Sequence, residues 1–152
     1  MTTDWTAQRT ASTRLLAGAA GGALGGLAFL PVMLLLQPTL WAQLVRTLAP
    51  GLAGTPAEFG GWLLHMAVLT AWGALFALLL PQRETAPVLM GALGWAFVLA
   101  WISAIAITLV QGMAIPAFGW ALETLAHAVY GAVLAGTLLF LSRAGAMGGA
   151  TP

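Results

Sequence analysis

The chain has no cysteine and no lysine, and it carries little charge of either sign. Absent cysteine excludes disulfides and cysteine-based zinc or iron–sulfur sites. Five arginines and four acids make 6% of its 152 residues, against about 25% in a soluble domain. They cannot cover the surface of a water-soluble globule. A net charge of +1 without lysine excludes nucleic-acid binding through a basic patch. A large catalytic domain has no room. What is abundant is apolar: 61% of residues are hydrophobic, with a mean hydropathy of +0.96. The chain reads as a small integral membrane protein.

A helix crossing the bilayer needs about 20 mostly apolar residues. Four stretches qualify, at about 15–36, 59–80, 88–110 and 118–141. Sustained two-residue alternation is absent, so helices rather than a β-barrel are the spanning elements. The predicted fold is an all-α, four-transmembrane-helix bundle forming a single membrane domain over 1–152. Its first apolar run exceeds the 7–15 residues of a signal-peptide core, so that span reads as an uncleaved anchor. Arg9 and Arg14 precede the first span, Arg83 lies between the second and third, and Arg143 follows the fourth. Only Arg46 falls on the other side. The positive-inside rule then places both termini in the cytoplasm of a bacterial inner membrane.

Between the first two spans, Leu40, Trp41, Leu44, Val45 and Leu48 share a face opposite Gln43, Arg46 and Thr47. This predicts a short amphipathic helix at about 39–49, lying in the outer interface and ended by Pro50-Gly51. Thr55-Pro56-Ala57-Glu58 has the form of a capping box, with Thr55 as N-cap. The connections at Pro81–Thr85 and Gly112–Pro116 are short, and a mobile tail is predicted from Ala144. Pro31, inside the first span, predicts a kink.

Paired patterns point to an internal duplication of a two-helix hairpin. Gly61-Trp62 recurs as Gly119-Trp120, Trp72-Gly73-Ala74-Leu75 as Tyr130-Gly131-Ala132-Val133, and Gly22-Ala23-Leu24-Gly25 as Gly91-Ala92-Leu93-Gly94. Both units would enter from the same side, relating them about the membrane normal. Gly18, Gly22 and Gly26 form a small-residue strip that lets helix backbones approach, inside the bundle or against a partner.

Ionisable residues inside spans are functional candidates by default. Here they are His65, Glu123 and His127, with Glu58 at a span entrance. At about 100° per residue, Glu123, His127 and Tyr130 share one face of the fourth span, edged by Trp120. Glu58, His65 and Trp72 share one face of the second, edged by Trp62. The two polar faces are predicted to meet in the outer half of the bundle. Their simplest role is structural, as hydrogen bonds across helices. A second role is bis-His ligation of haem b by His65 and His127. Against it, the repeat staggers the two histidines by about 6 Å in depth. A third is proton or solute transport through Glu123, His65 and His127. The inner half, with alanine, leucine and glycine, offers no continuing path, and Ser103, Thr108 and Gln111 do not supply one. A fourth is acid–base or metal chemistry by the same three residues, for which no nucleophile motif is present.

Gly61-Trp62-Leu63-Leu64-His65 opens the second span, and His127-Ala128-Val129-Tyr130-Gly131 lies in the last. On a four-span chain of this size, these motifs resemble an uncharacterised family of small bacterial inner-membrane proteins with Gly-Trp-x-x-His and His-x-x-Tyr-Gly motifs. The likeness covers roughly residues 55–142. It implies that His65, His127, Tyr130 and Gly131 are the positions that matter, and no activity. Glu123 has no place in that pattern.

The sequence favours a non-catalytic accessory or assembly subunit of a larger inner-membrane complex, a respiratory one being a candidate, with no resident cofactor or metal. Its partners would be the lipid bilayer and other membrane subunits or copies of itself.

Overall fold

The computed structural model describes residues 5–36, 40–80, 85–111 and 117–148. The connections at 81–84 and 112–116, and residues 149–152, lie outside the described residues. Five helices follow in order: α1 Trp5–Leu36, α2 Leu40–Leu48, α3 Thr55–Leu79, α4 Thr85–Gln111 and α5 Ala117–Gly148. No strand occurs among the described residues. Four helices contain stretches long and apolar enough to cross a membrane: Ala11–Val32, Thr55–Leu79, Thr85–Leu109 and Gly119–Ala144. At 1.5 Å per residue each covers a hydrocarbon layer of about 30 Å. The protein is a multi-pass, all-α membrane bundle.

Lipid tails are as apolar as leucine, so such helices associate by close packing rather than by escape from water. Small residues decide where that closeness occurs. A Cβ at Gly22 would press on the Leu69 carbonyl oxygen and lie 3.0 Å from Thr70 Cα. One at Gly18 would press on the Gly73 carbonyl oxygen and lie 2.5 Å from Ala77 Cβ. The α1–α3 seam is therefore backbone against backbone. On the neighbouring strip of α1, a Cβ at Gly21 would meet Leu134 and one at Gly25 would meet Tyr130, both on α5. Gly131 of α5 in turn accepts Ala92 and Ala96 of α4. The Gly18/Gly22 strip is thus occupied inside the bundle and is not a surface for another protein. Gly26 meets only the Met66 and Leu69 side chains.

The buried line on α3 runs Ala57, Gly61, His65, Leu69, Gly73, Ala77, one residue in four. Packing of four-residue ridges on α1 and α3 matches the crossing class common to glycine-faced membrane helices. Between α3 and α4 contact is of another kind. There Trp95 packs on Trp72 and Phe76, with ring centroids 5.5 and 6.0 Å apart.

Several local expectations change. α3 is capped by Gly54, not Thr55, with φ 56° and no side-chain bond to the first turn. The Ala57 and Glu58 amides donate to the Gly54 carbonyl instead. That left-handed backbone suits glycine, and it moves the helix start one residue earlier than a Thr55 cap allows. α2 does not lie free in the interface. It docks on α3 through Ala42 and Val45 against Ala57 and Leu64, leaving Leu48 exposed; the side chains of Leu40 and Trp41 lie outside the described residues. Helix α1 includes Pro31, and α5 continues past Ala144 to Gly148. Gly73 packs on α1 and Gly131 on α4, whereas of the paired Gly25 and Gly94 the first is tightly packed and the second meets nothing within 4 Å.

Candidate functional site

The site is built where α1, α3, α4 and α5 converge. Each span contributes one residue or more: Phe29 from α1, His65 from α3, Ser103 from α4, and Glu123 with His127 from α5. His65, Glu123 and His127 are 1%, 3% and 4% exposed, the only buried histidine or acidic side chains among the described residues.

Glu123 accepts a hydrogen bond from the Ser103 hydroxyl, Oγ to Oε1 2.5 Å. This bond ties α4 to α5. His127 Nδ1 lies 2.9 Å from the Glu123 carbonyl oxygen one turn earlier, and 3.5 Å from Glu123 Oε1. A carbonyl oxygen only accepts, so that bond requires the proton on Nδ1. In the neutral imidazole the lone pair then stays on Nε2. One turn further, the Tyr130 hydroxyl donates to the Leu69 carbonyl oxygen of α3 at 2.9 Å. Glu123, His127 and Tyr130 thus share the buried face of α5 that their spacing indicates.

Phe29 reaches both histidines. Its ring lies 5.3 Å from the His65 imidazole and 4.9 Å, edge-on, from that of His127. Phe29 therefore joins the two histidines, from α3 and α5, into one aromatic cluster. Among the described residues no group of three His, Asp or Glu side chains is arranged to hold a metal ion.

Not every candidate joins the cluster. Glu58 is exposed at the start of α3. The line Glu58–His65–Trp72 advances by seven residues, whereas the buried line advances by four and crosses it only at His65. Trp72 accordingly faces Trp95, and Trp120 stacks near Trp101, 5.0 Å away, rather than edging the site. Trp62 does stay beside His65, 6.3 Å away and perpendicular. Ser103 and Phe29 are the residues that spacing did not single out for this cluster. Ser103 was readable as a polar group in an apolar span, though not as the partner of Glu123; Phe29 carries no sequence signal beyond being apolar.

Three other span hydroxyls are spent locally. Thr108, Thr124 and Thr137 each donate to the carbonyl four residues earlier, on Ala104, Trp120 and Val133. Such back-bonding satisfies the hydroxyl without lining a path. Fold and site together define a small helical membrane bundle with a polar cluster enclosed in an apolar core. No family model matches the chain, and it matches no curated protein and no solved structure.

Proposed function

We propose that this chain is a small non-catalytic subunit of a larger bacterial inner-membrane assembly, with both termini cytoplasmic. One observation carries the reading: the span chemistry is turned inward and used within the bundle, while the outer surface is apolar side chains. Ser103, Glu123, His127 and Tyr130 bond to one another or to backbone. Outside lie Leu24, Leu35, Met90, Trp101, Leu109 and Phe140. A surface of this kind meets lipid and other membrane helices. Arginine placement supports the orientation, and Arg143 reaches Thr85 at the start of α4, 3.4 Å away. Descent from a duplicated hairpin, and kinship with the family sharing the His65, His127, Tyr130 and Gly131 motifs, belong to the same proposal.

The test is extraction of the tagged protein from its own membrane in mild detergent, followed by native mass measurement. Migration with larger membrane subunits at fixed stoichiometry is the expected result. Recovery alone, as monomer or small homo-oligomer, overturns the reading.

A second reading rests on Glu123, a carboxyl group held in the hydrocarbon layer beside His127. In it, a homo-oligomer conducts protons or a small solute. Flux in liposomes that is lost in Glu123→Gln, with the fold intact, would favour it over the subunit reading.

A further inference from the structure

The seam between α3 and α4 differs from the other seams of the bundle. Where α1 meets α3, α1 meets α5 and α4 meets α5, glycine brings backbone against neighbouring backbone or Cβ. Between α3 and α4, contact runs through large side chains: Trp95 on Trp72 and Phe76, and Leu80 over Gly91. Side chains can change rotamer without moving a helix, which a backbone-to-backbone contact cannot do. The seam also holds an unspent donor. The Trp95 indole Nε1 is buried and has no hydrogen-bond partner among the described residues. A buried donor left unpaired costs about 1–3 kcal/mol, and no water enters the hydrocarbon layer to relieve it.

Depth narrows the ligand class. Trp95 lies ten residues into α4, about 15 Å along the axis and so near the middle of a layer about 30 Å thick. Tryptophans that anchor a protein to headgroups sit at the two interfaces instead. A phospholipid headgroup does not reach this depth. A ring that dissolves in hydrocarbon does, if it is uncharged. The neighbouring rings, Trp72 and Phe76, are aromatic, and the donor is a single N–H. The matching chemistry is a planar, uncharged ring bearing a carbonyl acceptor.

We infer that the α3–α4 seam binds the headgroup of a lipid-soluble quinone, stacked against Trp72 and Trp95, with one carbonyl oxygen accepting from Trp95 Nε1. The inference does not depend on the subunit reading. The competing account is that the indole N–H points at the face of Trp72, whose ring is steeply inclined to it at 68°, and that the seam is closed core.

Titration of the intact protein in nanodiscs with decylubiquinone decides between them. The readout is the ¹⁵N–¹H indole spectrum, with quinone-free nanodiscs and decylbenzene as controls. One indole signal, missing from Trp95→Phe, shifts saturably with decylubiquinone and not with decylbenzene. In Trp95→Phe the apparent affinity, followed by fluorescence quenching, falls roughly threefold to tenfold, as loss of one hydrogen bond predicts. Trp101→Phe, on the lipid-facing side, leaves it unchanged. Equal affinity in Trp95→Phe, a shift at a different indole, or no saturable shift overturns the inference. If Trp95→Phe does not fold, the signal is assigned in the wild type by its through-space contacts to Trp72 and Phe76, and the wild-type titration alone decides.

Discussion

Tyr130 of α5 hydrogen-bonds across the bundle to the Leu69 carbonyl oxygen of α3, 2.9 Å away. The ring that carries this hydroxyl is fully buried and packs beside Gly25 of α1. One side chain therefore links three helices. Tyr130→Phe keeps the ring and removes the bond, and it should cost about 0.6–1.7 kcal/mol, the range for single interhelical bonds in membranes. Tyr130→Ala also opens a cavity and should cost about 3–5 kcal/mol. Unfolding in mixed detergent micelles measures both, and equal losses in the two variants would show that the hydroxyl dominates.

Glycine positions separate just as clearly. A Cβ at Gly22 meets backbone of α3, which cannot rotate away. Gly22→Ala should destabilise by about 1–3 kcal/mol as an overpacked seam does. Gly94→Ala meets nothing within 4 Å and should be neutral, or stabilising by up to about 1 kcal/mol through helix propensity. Paired thermal unfolding curves in one detergent check the contrast.

Ser103 and Glu123 should behave as a pair. Glu123→Gln retains an oxygen able to accept from Ser103 and should change stability by less than about 1 kcal/mol. Ser103→Ala leaves Glu123 without that donor and should cost about 1–3 kcal/mol. A double-mutant cycle of Ser103→Ala with Glu123→Ala, which removes the acceptor, should return coupling of at least about 0.5 kcal/mol. Additive losses would show that the 2.5 Å contact contributes nothing.

Phe29 governs the histidine pair. With its ring against both imidazoles, the purified protein should give a reduced-minus-oxidised visible spectrum without a haem band. A band present in the wild type and lost in His65→Ala would show instead that His65 ligates a haem.

Much of the site was legible because helical geometry is local. Glu123, His127 and Tyr130 follow one another by about one turn, so their common face needs only the residue spacing. Glu58 misled for the same reason. A seven-residue step nearly preserves a face on an isolated helix, but α1 crosses α3 along a four-residue line and leaves Glu58 outside. No pattern on α3 alone reports the crossing, because it is set where Gly18 and Gly22 meet Gly73. Phe29 was illegible as a site residue because it is one apolar side chain among many.

By itself the sequence determined the solvent and the elements. Scarce charge and four apolar runs leave a bilayer as the only compatible surroundings and helices as the only spanning structure, because unpaired backbone groups are too costly in hydrocarbon. The tertiary structure alone decided which faces meet. Glycine is equally apolar on either side of a helix in lipid, so hydropathy cannot say which strip is buried. Backbone approach at Gly18, Gly22, Gly25 and Gly131 made that choice. It also left α3 and α4 apart, with Trp95 between them.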